Sequence, residues 1–368
     1  MLHNRILAVF FTLSVLASLA HAATTVSKSE FGKMPDGRSV DIYTLKDGAI
    51  EARITTYGAR IVSLLAPDKN GKTADITLGY DNVDGYVKDG ASFGSLVGRY
   101  AGRIGNATFN LDGKDFHTPK NDGPNTLHGG PENFGKQLWT GKQIANGVEL
   151  TYVSKDGEAG FPGTLTTVVR YTLIGKDLKL DISAATDKDT VLNLTNHAYW
   201  NLAGEGSGDV AKQEVQINAA KVVPVNDGLI PTGKLADVAG TPLDLRKLTP
   251  IGAHVDDKSN DQLKYGIGYD ITYVLDNNGK LVPASEAYDP ASGRVLTVLT
   301  DQPGLHFYSG NHMDGVAGKG GHKYAFRNAY AFEAQNFSDA PNQPNFPSAV
   351  LKPGQKFHHI IIFRFSTK

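Results

Sequence analysis

Leu138-Trp139-Thr140-Gly141-Lys142-Gln143-Ile144-Ala145-Asn146-Gly147-Val148-Glu149-Leu150-Thr151-Tyr152-Val153-Ser154 decides the fold class. Asn-Gly is the strongest short hairpin signal, because a tight two-residue turn needs positive φ that these residues tolerate. The spacing therefore predicts strands Leu138–Ala145 and Val148–Ser154 joined at Asn146-Gly147. The same pattern recurs along the chain. Ser39–Leu45 and Ala49–Thr55 flank Lys46-Asp47-Gly48, Ala107–Leu111 and Lys114–His117 flank Asp112-Gly113, and Gly163–Ile174 and Leu178–Ala184 flank a Gly-Lys-Asp turn. Further strand candidates are Val191–Tyr199, Gln213–Asn218, Tyr269–Leu275, Arg294–Leu299, Gly304–Ser309, Ala329–Gln335 and Lys356–Phe365. Val282–Ser292 is polar and reads as a surface loop. No stretch sustains a helical period, and 41 Gly break up most windows. Many short strands with Gly-rich turns predict an all-β sandwich or barrel.

Composition narrows the function classes. The 368 residues are 40% hydrophobic, too apolar for a disordered chain, and carry no Cys, which removes disulfides, thiolate metal sites and a Cys nucleophile. A net charge of -1 gives no basic surface for nucleic acid. Met1-Leu2-His3-Asn4-Arg5, an apolar run from Ile6 to Ala20 and then Ala20-His21-Ala22 form the parts of a secretory signal peptide. Cleavage is expected after Ala22, leaving residues 23–368 as a single domain, periplasmic or secreted, and not held at a membrane. The apolar run is short for a span, which needs roughly 20 residues.

Several familiar motifs fail. Asn70-Gly71-Lys72-Thr73 lacks the earlier Gly of a phosphate loop and leads into a strand, so it reads as a turn. Gly266-Ile267-Gly268 precedes a strand instead of following one, against a dinucleotide site. His358 and His359 are adjacent in a strand and point to opposite faces, which suits packing better than metal ligation. No ligand cluster stands at a recognisable spacing, so neither a metal nor another cofactor is expected.

The informative residues lie on strands with polar faces. In Val191–Trp200 strict alternation puts Asn193, Thr195, His197 and Tyr199 on one face, either a solvated surface or a binding trough. In Tyr330–Phe337, Glu333 and Gln335 share a face among apolar and aromatic neighbours. Glu is depleted in strands and costly to bury unless paired, so this one is either a surface exception or a general base. Asn125-Thr126-Leu127-His128-Gly129-Gly130 and Gly98-Arg99-Tyr100-Ala101-Gly102-Arg103-Ile104-Gly105-Asn106 are Gly-flanked polar groups. Asp270 stands at a strand start.

Taken together and in this order, Gly-Arg-Tyr-Ala-Gly-Arg-Ile, Asn-Thr-Leu-His-Gly-Gly, Thr-Asn-His-Ala-Tyr-Trp-Asn-Leu-Ala-Gly, Gly-Tyr-Asp and Phe-Glu-Ala-Gln-Asn-Phe-Ser-Asp-Ala resemble the aldose 1-epimerase (galactose mutarotase) family. The resemblance spans essentially the whole chain after the signal. It implies a large antiparallel β-supersandwich whose polar concave face holds an aldose sugar. It further implies Glu333 as the base on the C1 hydroxyl and His197 as the acid on the ring oxygen. Arg103, His128, Tyr199 and Asp270 match substrate contacts. Two positions depart from the family pattern. Gly102 stands where many members have Asn, and His306 stands on the sugar-binding side where members carry Gln or an aromatic residue. The alternatives are a non-catalytic carbohydrate-binding protein on the same scaffold and a glycosidase using Asp270 and Glu333.

Overall fold

A computed structural model describes residues 24–88 and 91–368 of the chain. The signal segment proposed for residues 1–22 lies outside the described residues. Three antiparallel sheets dominate the rest. A five-stranded meander runs through Thr25–Lys33, Ser39–Asp47, Ile50–Thr55, Arg60–Pro67 and Thr73–Asp75. A nine-stranded sheet has the order Thr140–Ile144, Gly147–Ser154, Leu165–Ile174, Asp177–Thr186, Phe357–Thr367, Arg294–Thr300, Val282–Tyr288, Glu214–Ile217 and Thr249–Pro250. A six-stranded sheet has the order Tyr199–Trp200, Tyr330–Gln335, Gly304–Tyr308, Asp270–Val274, Lys221–Val223 and Ala236–Asp237. Among the described residues the α-helices are Val83–Lys88 and Asp261–Tyr265, neither long enough to cross a membrane. The chain is thus an all-β antiparallel supersandwich.

The hairpins form where turn chemistry and alternation agree. Asn146 adopts φ 58 in the turn between Thr140–Ile144 and Gly147–Ser154. Asp68 Oδ1 accepts from the backbone N–H of Asn70 (2.8 Å) and Lys72 (2.9 Å), so that segment is an Asx-type turn, as its sequence indicates.

The six-stranded sheet has two unlike faces. Trp200, Ile271, Tyr273, Phe307 and Phe332 point into the main core, where they join Val298, Ile361 and Phe363 of the nine-stranded sheet. Trp200 packs on Phe363 with ring centroids 4.9 Å apart. Burial of this kind is worth roughly 1.5–3 kcal/mol per large side chain, which is what holds the sheet in place. The opposite face carries polar side chains at every second position, and it is the floor of the site.

Two sequence readings need correction. Val191–Tyr199 is not one strand. It divides into Thr190–Val191, Thr195–Asn196 and Tyr199–Trp200, which pair with Val350–Leu351, Leu96–Val97 and Tyr330–Gln335 respectively. All residues from Thr190 to Trp200 are buried, so this run has no solvated face. Asn193 serves the backbone: its side-chain amide donates to the carbonyls of Ala101 (2.9 Å) and Asn336 (3.1 Å). Val282–Ser292 is not simply a surface loop either. Val282–Tyr288 is an interior strand of the nine-stranded sheet, with Ala284, Ser285 and Ala287 buried and a bulge between Pro283 and Ser285. Its small inward residues hide the apolar alternation, and the bulge accommodates the proline. Thr25–Lys33 and Arg60–Pro67 are strands that the turn pattern does not announce.

Candidate active site

Strand register places the functional groups. His306 lies directly opposite Glu333 on one side and Thr272 on the other; Tyr308 lies opposite Ala331 and Asp270. Because side chains alternate, Asp270, Thr272, His306, Tyr308, Glu333 and Gln335 all rise from one face. Tyr199, opposite Ala331, extends that row by one strand. All of these except Thr272 line a cavity of about 340 Å³, a volume in the range of small-molecule sites.

His197 sits between two short strands, and its backbone fixes it from both sides. Its N–H donates to the carbonyl of Ser95 (2.9 Å), and its carbonyl accepts from Gly94 (2.9 Å). The imidazole stacks on Tyr199 at 4.8 Å and 19°, while His128 meets it edge-on at 5.3 Å and 85°. Nε2 of His197 is 3.4 Å from Oε1 of Glu333, and both side chains are buried. That separation is long for a hydrogen bond. Among the described residues, Nδ1 of His197, Oε2 of Glu333 and Oε1 of Gln335 have no hydrogen-bond partner. Buried polar atoms left open are costly unless something else meets them, so these atoms mark where a polar ligand belongs.

The loops carrying the remaining groups are shaped by glycine and by one buried arginine. His128 has φ 54, and Gly129 follows with φ +87. A Cβ on Gly129 would lie 2.3 Å from the carbonyl oxygen of Gly98, so no other residue lets these loops approach. Gly102, with φ +78, packs where a Cβ would lie 2.2 Å from Ser338 Oγ; the departure from Asn at this position is matched by that close contact. The first arginine of the Gly-Arg-Tyr-Ala-Gly-Arg run is structural. Arg99 is buried and donates to the carbonyls of Pro162 and Gly163 at 2.8 Å each, and burial pulls its guanidinium down to about 10. The second arginine, Arg103, lines the cavity with Nε anchored on Asp122 Oδ2 at 2.7 Å.

Electrostatics assign protonation. Nδ1 of His128 accepts from the backbone N–H of Gly102 at 3.2 Å. Burial, with the neighbouring His197 and Arg103, pushes the ring's pKa well below the ordinary histidine value. His128 is therefore neutral with its proton on Nε2, a hydrogen-bond donor. Burial alone would push Asp270 up. The hydrogen bond from His306 and the charges of Arg103, His306 and His312 outweigh it and hold the carboxyl at about 2. Burial likewise works against charge on His306, yet the bond to Asp270 and the charge of Glu333 raise it above the usual imidazole range.

All seven residues singled out in the sequence, Arg103, His128, His197, Tyr199, Asp270, His306 and Glu333, line the one cavity. Asn193 and Thr195 do not. Gln335, Tyr308, His312 and Met313 line it too. Gln335 shares the face of Glu333, as the alternation in its strand indicates, and Tyr308 lies two residues from His306, so alternation alone could have named it as well. His312 and Met313 come from the following loop, where no period exists; the N–H of His312 donates to Tyr308 Oη at 2.9 Å.

One expectation is modified here. No metal-ligand cluster is visible at sequence spacing, but the fold assembles one, since donor atoms of His128, His197 and Glu333 lie within 4.8 Å of one another. The donor chemistry does not favour an ion. Ligation through Nε2 of His128 would move its proton to Nδ1, which already faces the Gly102 N–H. The same three groups suit hydroxyl and ether oxygens.

The comparisons agree with this geometry. A family profile described as aldose 1-epimerase matches residues 41–364. A galactose mutarotase from Rattus norvegicus is 41% identical over 344 residues, covering 93% of this chain and 99% of its own length. An aldose 1-epimerase from Escherichia coli K12 is 35% identical over 341 residues, 90% of this chain and 96% of its own. The solved galactose 1-epimerase of Lactobacillus acidophilus superposes with a TM-score of 0.81 at 26% identity, covering 94% of this chain and 99% of that one. An aldose epimerase homologue from C. elegans gives 0.78 at 33% identity, over 87% and 96%. With the profile spanning both the sheet floor and the loops that close the cavity, the chain belongs to the aldose 1-epimerase family.

Proposed function

We propose that this mutarotase interconverts the α and β anomers of free aldohexoses such as glucose and galactose by acid–base opening and closure of the ring, with Glu333 as base and His197 as acid. The observation that carries this reading is the 3.4 Å approach of His197 Nε2 to Glu333 Oε1 in a buried cavity. Ring opening moves two protons at oxygens bonded to the same carbon, so a base and an acid must stand close together without neutralising each other by a tight hydrogen bond. Glu333 takes the proton of the C1 hydroxyl. The electron pair of the broken O1–H bond forms the second bond of the C1=O1 carbonyl as the bond from C1 to the ring oxygen breaks, and that oxygen keeps the broken bond's pair and receives the imidazole proton of His197. Rotation about C1–C2 presents the other aldehyde face, and the reverse transfers close the other anomer. His128 donates from Nε2, Arg103 donates from its guanidinium, and Asp270 accepts from a sugar hydroxyl. Tyr199 supports His197 by stacking.

No electrons leave the sugar and no covalent sugar–enzyme bond is required, so the side chains named are sufficient. The glycosidase reading is less well supported, because one oxygen of Asp270 is taken by His306 and the ionised acid at about 2 is a poor proton donor. The similarity to proteins described as galactose mutarotase and aldose 1-epimerase does not favour a non-catalytic binding module. Polarimetry on freshly dissolved α-glucose and α-galactose is the direct test. Rotation should reach equilibrium faster with protein than without, and an unchanged rate with both sugars would refute the proposal.

We propose further that the protein is exported, on the strength of the Arg5-to-Ala22 pattern. Native material should begin at Ala23 on N-terminal sequencing; an intact Met1 would exclude cleavage.

A further inference from the structure

We propose that His306 acts through Asp270 and not on the sugar: it is a positioning residue that holds the Asp270 carboxylate with one oxygen turned towards a sugar hydroxyl. The inference rests on the aldose reading of the cavity. Its basis is that the protein occupies both ring nitrogens. Nε2 is 2.8 Å from Asp270 Oδ1, and Nδ1 is 3.0 Å from Thr272 Oγ1. A carboxylate only accepts, so Nε2 carries a proton. The Thr272 hydroxyl accepts from Nδ1–H when the ring is charged and donates to bare Nδ1 when it is neutral. The ring therefore keeps its place in both states and has no atom left for a sugar hydroxyl. Asp270 differs: among the described residues, nothing donates to its Oδ2, and it lines the cavity.

The surroundings decide the charge. Asp270 and Glu333 face His306 from the two neighbouring strands and favour the imidazolium; Arg103 opposes it, and His128 lies near enough to feel its charge. The net effect raises His306, so the imidazolium persists to higher pH than in an ordinary histidine and is lost as pH rises further. With the ring charged both partners of this bond carry charge; after deprotonation a neutral N–H donates to the Asp270 carboxylate, and the bond weakens. Losing the proton loosens the hold on Asp270 without displacing Glu333 or His197. Sugar binding should therefore weaken on the alkaline side.

The departure from the family pattern at this position supplies the variants. His306→Phe has no donor, and KM should rise about 10- to 100-fold, the weight of a hydrogen bond to a charged group, with a smaller change in kcat. His306→Gln keeps a neutral donor, restores most of that loss and flattens the alkaline rise in KM. Both variants and the parent are compared by polarimetry from neutral to alkaline pH on glucose and a set of mono-deoxy glucoses. On the deoxy sugar lacking the hydroxyl that Asp270 accepts from, the parent and His306→Phe should have the same KM. The proposal is overturned by a loss confined to kcat, by an equal KM change on every deoxy sugar, or by His306→Gln keeping the parent's pH profile. If His306→Phe does not fold, the Gln profile decides alone. If the parent itself accelerates no aldose, the mutarotase reading fails instead.

Discussion

Glu333→Gln should lose roughly 10²–10⁴-fold in polarimetric turnover, the usual weight of a general base, while sugar affinity changes little. Gln keeps the shape and hydrogen bonding of Glu333 but cannot take a proton. The side chain is buried on a strand whose other face, Tyr330, Phe332 and Ala334, is locked into the core, so its position should survive the change. A fall in kcat at constant affinity means that the carboxylate acts mainly in the transition state. His197→Asn should resemble it. The double variant should lose far less than the product of the two factors, because acid and base serve one concerted event. Near-normal rates for Glu333→Gln on several aldoses would remove Glu333 from the chemistry and leave a sugar-binding protein.

The second large effect concerns stability in acid. His359 is wholly buried in Phe357–Thr367, its Nδ1 donating to the carbonyl of Leu194 at 3.1 Å. Burial pulls its pKa from 6.5 down to about 4. In the unfolded chain the ring charges near its ordinary value; in the folded protein it stays neutral until about 4. Above the unfolded value both states are neutral and the group contributes no pH dependence. As pH falls through this window the unfolded state binds the extra proton, and stability is lost by about 3 kcal/mol. His359→Gln keeps an amide donor for Leu194 but does not titrate. Unfolding free energies from urea titrations should therefore fall, from neutral pH to near pH 4, by about 3 kcal/mol more in the parent than in the variant. Parallel losses would show that His359 is not the group responsible. The adjacent His358 faces solvent and pairs with Asp181 at 3.0 Å, so it provides a control on the opposite face.

Much of this architecture is legible in sequence because hairpins are local. Asn146-Gly147 and the alternation around it fix two strands, and Ala329–Gln335 and Gly304–Ser309 are read nearly to the residue. The same period finds Glu333, whereas His306 is picked out only through the family resemblance. Reading fails where burial is two-sided. In Val191–Trp200 every side chain is enclosed, so polarity no longer reports direction; three short strands each answer to a different partner. It fails again in Val282–Tyr288, where small residues and a bulge disguise an interior strand. The motifs around His128 and Arg103 are visible as glycine-rich runs, but their meaning is a loop-to-loop approach set by Gly129 and Gly98, which no local pattern contains. Metal-like and acid–base clusters share this limit, since their donors are distant in sequence and meet only through the fold.

The strand Phe357–Thr367 lies in the middle of the nine-stranded sheet, between Asp177–Thr186 and Arg294–Thr300. During synthesis the growing chain therefore holds two open sheet edges and an uncovered Trp200 until residues 357–367 have left the ribosome. The wall behind His197 and Glu333 is completed by a segment made after both of them, through Phe363 and His359. A chain interrupted before Phe357 would carry both catalytic residues and every named sugar contact and yet have no site, while exposing unpaired strands that invite aggregation.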